Sequence, residues 1–202
     1  MSSSKPSEKF SLEALRNGDR TEFAALVEAY YPMIYRLAIK MVGNPQDAED
    51  ILQETFIKAY RHLKDFDGRS SLSTWLYRVA TNEALMFLRR KHPEQVSIDE
   101  PLNTDEGEME PVQIVDWCCL PEKELLSSEA RLHLDRAIEK LSPSLRVVFV
   151  LRDIQGLSTL ETSEVLNLSE TAVKTRLSRA RLRLREELSS YYNEGLIEGK
   201  QV

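Results

Sequence analysis

The residues with types and spacing suited to chemistry fall in separate groups, and the most basic of them is TAVKTRLSRARLRLREEL, Thr171 to Leu188. At 100° per residue Val173, Leu177, Ala180, Leu184 and Leu188 form one apolar stripe. Lys174, Arg181 and Arg185 lie on one flank of it, and Arg176, Arg179 and Arg183 on the other. Six basic residues against Glu170 alone give Ser169 to Arg185 a net charge of +5. Basic flanks on both sides of a helix suit the two phosphate backbones that border a groove, and each phosphate neutralised releases counterions. Base contacts then fall on the first two turns, to Thr171, Lys174, Thr175, Arg176 and Ser178, with Arg179 reaching base or phosphate. A solvated amphipathic helix is the plainer reading of such charges. What favours DNA is the preceding pattern: a short helix from Ser158 to Val165, a turn through Leu166, Asn167 and Leu168, and a helix from Ser169, the proportions of a helix-turn-helix.

A second group lies between Ser73 and Arg90. Leu72, Trp75, Leu76, Val79, Met86 and Phe87 have core spacing, while Arg78, Asn82, Leu85 and Arg89 form another stripe of mixed polarity. Arginine for phosphate and asparagine for a base edge suit nucleic acid. The preceding loop, DFDGRSSLST, has the small polar groups and backbone donors to close over an unstacked base. Trp75 at core spacing favours packing over stacking. A third group, Asp47, Asp50 and Glu54, has carboxylates at helical spacing, as a metal-dependent hydrolase would need. No metal site is expected: His62, His92 and His133 fit no Glu-x-x-His spacing, and acids at a helix start are explained by the dipole. The face Asp50, Gln53, Glu54, Ile57 and Arg61 instead carries an isoleucine among charges, which points to a protein partner.

Helices must position all three groups. Gly43 can close one helix, Asn44 can cap the next and Pro45 suits its first turn, predicting a helix from Pro45 to about Leu63. Thr21 to Val42 has helical period but contains Pro32, which should kink or split it. Lys64 to Ser71 is a loop, and Leu72 to about Arg90 is a third long helix. Ser142-Pro143 starts a helix, Ser158 with Glu161 makes a capping box, and Ser169 caps the last helix.

Charge is distributed unevenly between these elements. The whole chain carries 33 acidic and 27 basic residues, net -6. Glu94 to Glu124 holds ten acids against Lys123 alone, net -9, so the remainder sums to +3. That stretch also contains Pro101, Pro111 and Pro121, with Pro93 just before it, and has no helical period, which reads as an extended tether. The expected fold class is all-α: two small helical domains joined by an extended acidic linker, the C-terminal one a helix-turn-helix. The domains are 1–93 and 123–202, with the linker at 94–122. No run approaches eighteen apolar residues and MSSSKPSEKF lacks the apolar stretch of a secretory signal, so a cytoplasmic protein without membrane contact of its own is expected. Cys118 and Cys119 are adjacent, and in a reducing compartment they read as inert free thiols.

The chain resembles the extracytoplasmic-function (ECF) sigma factors of the sigma-70 family. DAEDILQETFIKAY (Asp47 to Tyr60), STWLYRVATNEALMFLRR (Ser73 to Arg90) and LSETAVKTRLSRAR (Leu168 to Arg181) are similar to three stretches of that family, in order. The resemblance implies a non-enzymatic initiation subunit, with no cofactor, that binds core RNA polymerase and directs it to promoters. By it, Asp50, Gln53, Glu54 and Ile57 dock on the clamp coiled coil of the largest subunit. Phe66, Ser73, Thr74, Arg78, Asn82 and Arg89 hold the melted minus-ten element, and Thr171, Lys174, Thr175, Arg176, Ser178 and Arg179 read the minus-thirty-five element as duplex. An anti-sigma factor or a stress signal is the implied control. A stand-alone helix-turn-helix regulator is the alternative, and it leaves the Asp50 face and the Asn82 stripe without a purpose. The sequence departs from the family in having Thr162-Ser163 where an aliphatic residue and alanine are usual, and Asn167 where glycine is common.

Overall fold

Asn44 and Pro45 set the geometry of the N-terminal half. In the computed structural model, which describes residues 10–91 and 128–198, the Asn44 side chain accepts from the amides of Gln46 and Asp47, and Pro45 opens the helix Pro45–His62. Gly43 ends the preceding helix in the left-handed region at φ 72°, where a residue without Cβ is unstrained. Eight α-helices follow one another among the described residues: α1 (Leu12–Arg16), α2 (Arg20–Val42), α3 (Pro45–His62), α4 (Leu72–Lys91), α5 (Ser128–Lys140), α6 (Pro143–Phe149), α7 (Thr159–Leu166) and α8 (Glu170–Glu198). No strand occurs among them, in keeping with the all-α expectation. The acidic linker 94–122, His92 and the Cys118-Cys119 pair lie outside the described residues.

Helices α2, α3 and α4 pack on one another around Leu26, Ile34, Leu37, Leu52, Leu76 and Ala80. Of the kink or split expected at Pro32, the split does not occur: α2 is one helix of 23 residues with Pro32 inside it. Proline removes one amide donor, and its exposed position together with the buried Tyr30, Ile34 and Leu37 on the packed face keeps the rest of the ladder in register. The core face expected for α4 also needs correction. Met86 is 42% exposed, whereas Tyr77, Ala80, Thr81, Ala84 and Leu88 are buried. Periodicity gives one stripe, but α4 is covered on two sides, by α2 and α3 on one and by α7 on the other.

In the C-terminal half, Pro143 starts α6, which runs into a π-helical turn at Val150–Ile154. The Ser158 capping box is formed in full: Glu161 N donates to Ser158 Oγ at 3.1 Å, and Ser158 N donates to Glu161 Oε2 at 2.8 Å. Asn167 closes α7 at φ 53° and ψ 48°, a left-handed conformation that asparagine tolerates better than branched residues do. Ser169 caps α8 through a 3.1 Å bond from Ala172 N. One apolar cluster includes residues of both halves, from Leu15 and Met41 to Val148, Leu151 and Val173. The N-terminal and C-terminal helical halves are therefore packed directly on each other.

Candidate nucleic-acid interface

Helix α8 can offer only its polar side to a partner, because its apolar stripe is consumed by packing. Val173, Leu177, Ala180 and Leu184 are buried against α5, α6 and α7. That leaves Thr171, Lys174, Ser178 and Arg179 exposed, with Thr175 and Arg176 half-buried beside them. Thr175 Oγ1 donates back to Thr171 O at 3.0 Å, so its hydroxyl is shared with the helix backbone. One flank is narrower than the wheel indicated. Arg181 Nε and Nη2 donate to the two carboxylate oxygens of Asp153 at 2.9 and 2.8 Å, a bidentate pair that removes Arg181 as a ready phosphate contact and fixes α8 against the π-helical turn. Sequence spacing carries no signal for that pairing, since Asp153 lies in another element.

On α4, Asn82 and Arg89 are exposed. Arg78 is exposed as well, yet its Nη2 donates to the Glu164 carbonyl of α7 at 2.7 Å. The loop before α4 differs more from expectation. Phe66, Ser73 and Thr74 are buried, so their side chains do not face a strand in this conformation. Ser71 is the organiser: its Oγ bonds Ser73 Oγ and Thr74 Oγ1, both at 2.8 Å, and accepts from Thr74 N at 3.1 Å, capping α4. Phe66 packs against Trp75 with ring centroids 5.3 Å apart, which places Trp75 in the packing role, and the Phe66 carbonyl accepts from Arg16 Nε at 3.0 Å. These hydroxyls and rings shape the loop from beneath.

The α3 face is open. Asp50, Gln53, Glu54 and Ile57 are all exposed, Ile57 by 42%, and Tyr60 one turn further on adds 44%. Tyr60 was not singled out by sequence, although its spacing from Ile57 was the available signal. Asp47 belongs to the framework instead, since Lys91 Nζ meets its carboxylate at 2.6 Å and ties α4 to the start of α3. Lys58 likewise reaches the buried Glu83 at 2.5 Å, so α3 and α4 are held in fixed register beneath the stripe that carries Asn82. Among the described residues, no three His, Cys, Asp or Glu side chains are grouped to hold a metal, and no helix is long and apolar enough to cross a membrane.

Arg146 was not anticipated either. It lies buried in α6, where burial lowers its proton affinity and the nearby Glu139 charge opposes that. A lone arginine inside the apolar run LRVVFVL was its signal in the sequence.

Comparison with known proteins now bears on these faces. The Sigma-70 region 2 family matches residues 26–93, which contain most of α2 and all of α3 and α4. The Sigma-70, region 4 family matches 131–184, covering most of α5 through the first half of α8. The ECF RNA polymerase sigma factor SigW of Bacillus subtilis is 40% identical over 177 residues, covering 88% of this chain and 94% of its own length. This chain belongs to the ECF sigma factors. The ECF RNA polymerase sigma-E factor of Haemophilus influenzae is 34% identical over 84% of this sigma factor and 89% of its own chain. Among solved structures, CnrH in complex with the cytosolic domain of CnrY matches with a TM-score of 0.63 and 26% identity, over 89% of this chain and 95% of that one. The sigma factor RpoE of Bartonella quintana shares the fold, with a TM-score of 0.62 and 24% identity over 84% of this chain and 98% of that one. The residues singled out on α3, α4 and α8 thus fall within the two matched regions.

Proposed function

We propose that this sigma factor binds core RNA polymerase through Asp50, Gln53, Glu54 and Ile57 of α3, against the clamp coiled coil of the largest subunit. Within residues 1–93, Arg78, Asn82 and Arg89 contact the melted minus-ten strand, over a loop shaped by Phe66, Ser73 and Thr74. Within 123–202, Thr171, Lys174, Thr175, Arg176, Ser178 and Arg179 read the minus-thirty-five duplex, and 94–122 connects the two. The protein acts in the cytoplasm, has no enzymatic activity or cofactor, and is held in reserve by an anti-sigma protein, for which CnrH with the cytosolic domain of CnrY is a precedent of a protein-bound relative.

The observation that carries this reading is the simultaneous exposure of an acidic face with a central isoleucine on α3 and a capped basic helix α8 in one chain. A duplex-binding regulator alone would use only the second. Run-off transcription with sigma-free core polymerase on a promoter library tests it. Site-selective transcripts that depend on this chain are expected, and their loss with Glu54→Arg while duplex binding persists places the polymerase contact on α3. Transcription that is never site-selective on any template overturns the reading.

A further inference from the structure

Arg181 differs from its neighbours on α8 in how it is held. Lys174 and Arg185, which share its flank, are exposed to solvent. Arg183 meets Glu186 of its own helix through a 3.4 Å contact between side chains 71% and 54% exposed. A pair of that kind is weak in water, and a phosphate can displace it. Arg181 instead faces another element. Its Nε and Nη2 donate in parallel to the two carboxylate oxygens of Asp153, at 2.9 and 2.8 Å, and the two side chains keep only 29% and 24% of their surface exposed. Asp153 is aimed there by its backbone. It lies in the π-helical turn Val150–Ile154, whose Val150 and Leu151 are buried. The chain beyond is folded back by bonds from Gln155 N to Val150 O at 2.9 Å and from Leu157 N to Leu151 O at 3.0 Å.

Handing Arg181 to a DNA phosphate would break both bonds. It would also leave a part-buried carboxylate unpaired beside a polyanion, disfavoured by lost solvation and by repulsion. The planar fork of arginine fits a carboxylate as well as it fits a phosphate, so the exchange brings no better geometry in return. We infer, on the reading of α8 as the duplex-binding element, that Asp153 is a positioning residue for DNA binding: it keeps Arg181 on the protein, so that α8 neutralises one phosphate fewer than its charge permits. Arg181 stands about two turns after Lys174 on the same flank, within the reach of the backbone that borders the groove. Phosphate contacts fix a protein on the duplex without reading its sequence. Asp153 therefore limits the grip of α8 on every duplex alike and leaves discrimination to the base-facing residues of the first two turns.

The full chain tests this through the slope of log affinity against log salt, from ~0.05 to ~0.5 M, where each phosphate neutralised adds about 0.9. Probes are the minus-thirty-five duplex of a promoter selected by run-off transcription and an unrelated duplex of equal length. Asp153→Asn keeps the shape of the side chain and removes its charge. It should steepen the slope by about 0.9 on both duplexes, so that its advantage over wild type shrinks about eightfold across the salt range. Arg181→Gln alone should leave the slope unchanged. Combined with Asp153→Asn it should restore the wild-type slope, because the gain passes through Arg181 and not through the loss of one negative charge. A merely structural pair would lower the melting temperature of both single variants and move neither slope, which overturns the role given to Asp153. So does a slope that falls by about 0.9 with Arg181→Gln alone, since Arg181 would then already contact a phosphate. That second count stands even if Asp153→Asn does not fold. Site-selective transcription with unmoved slopes removes only the role of Asp153, whereas absence of any promoter-specific transcript removes the reading of α8 and this role with it.

Discussion

Tyr30 lies in the middle of the larger core, 1% exposed, with a hydroxyl that has no hydrogen-bond partner among the described residues. Burial pushes its phenol from 10.0 up to about 12, and pushes the Tyr77 phenol up as well, against the opposing charge of Arg36. The folded Tyr30 thus keeps its proton to higher pH than the unfolded one. Its contribution is constant below about pH 10 and is lost as pH climbs from about 10 toward about 12, at ~1.4 kcal/mol per unit. Tyr30→Phe should be stabilising by about 1 kcal/mol at neutral pH, because it removes an unpaired buried hydroxyl. The gap over wild type should widen by about 1.4 kcal/mol between about pH 8 and about pH 11. Urea midpoints at both values check this, and a gap that stays constant rejects the assignment. Individual residues were legible where their role was at the surface: Asp50, Glu54, Asn82 and Lys174 are exposed as their polarity implied. Arg146, Glu83 and Phe66 were not, because whether a polar group is buried with partners, or a ring is exposed, depends on elements remote in sequence.

Elements were most legible at their ends. Asn44-Pro45 and Ser158 with Glu161 fix helix starts through local bonds, which sequence encodes within a few residues. Pro32 and Met86 misled because tertiary packing kept α2 whole and covered α4 on a second side. Thr162 illustrates a departure whose consequence lies in packing: it is fully buried in α7 and its Oγ1 is unpaired, a cost where an aliphatic residue would have none. Helix α8 combines both kinds of information. Its stripe was set by period and its flank was altered by Asp153, which holds Arg181. Arg176 remains half-buried beside the exposed Lys174 and Arg179. Arg176→Ala should weaken binding to the preferred minus-thirty-five duplex by about 1 to 3 kcal/mol and relax discrimination at one position, with little effect on random duplex. Competition titrations against single-base variants of the site measure this. A uniform loss across all sequences would instead make Arg176 a phosphate contact.

At the scale of the whole molecule, the charge pattern bears on how the free chain meets duplex DNA. The acids from Glu94 to Glu124 carry -9, while the rest of the chain sums to +3 and concentrates +5 between Ser169 and Arg185. A polyanionic tether attached to a basic reading helix competes with DNA phosphates at short range, and salt weakens that competition as it shortens the screening length. This competition does not depend on a contact with a particular base, so it should lower affinity for all duplex sequences alike. Replacing the ten acids by their amides should therefore raise the free chain's affinity for random duplex about tenfold at ~0.05 M salt. The difference should fade by ~0.5 M, where the screening length is only a few ångströms. Fluorescence anisotropy across a salt series checks this, since the contribution of the acidic segment disappears with salt. Equal affinities of the two chains at low salt would mean that the acidic segment plays no part in restraining the helix.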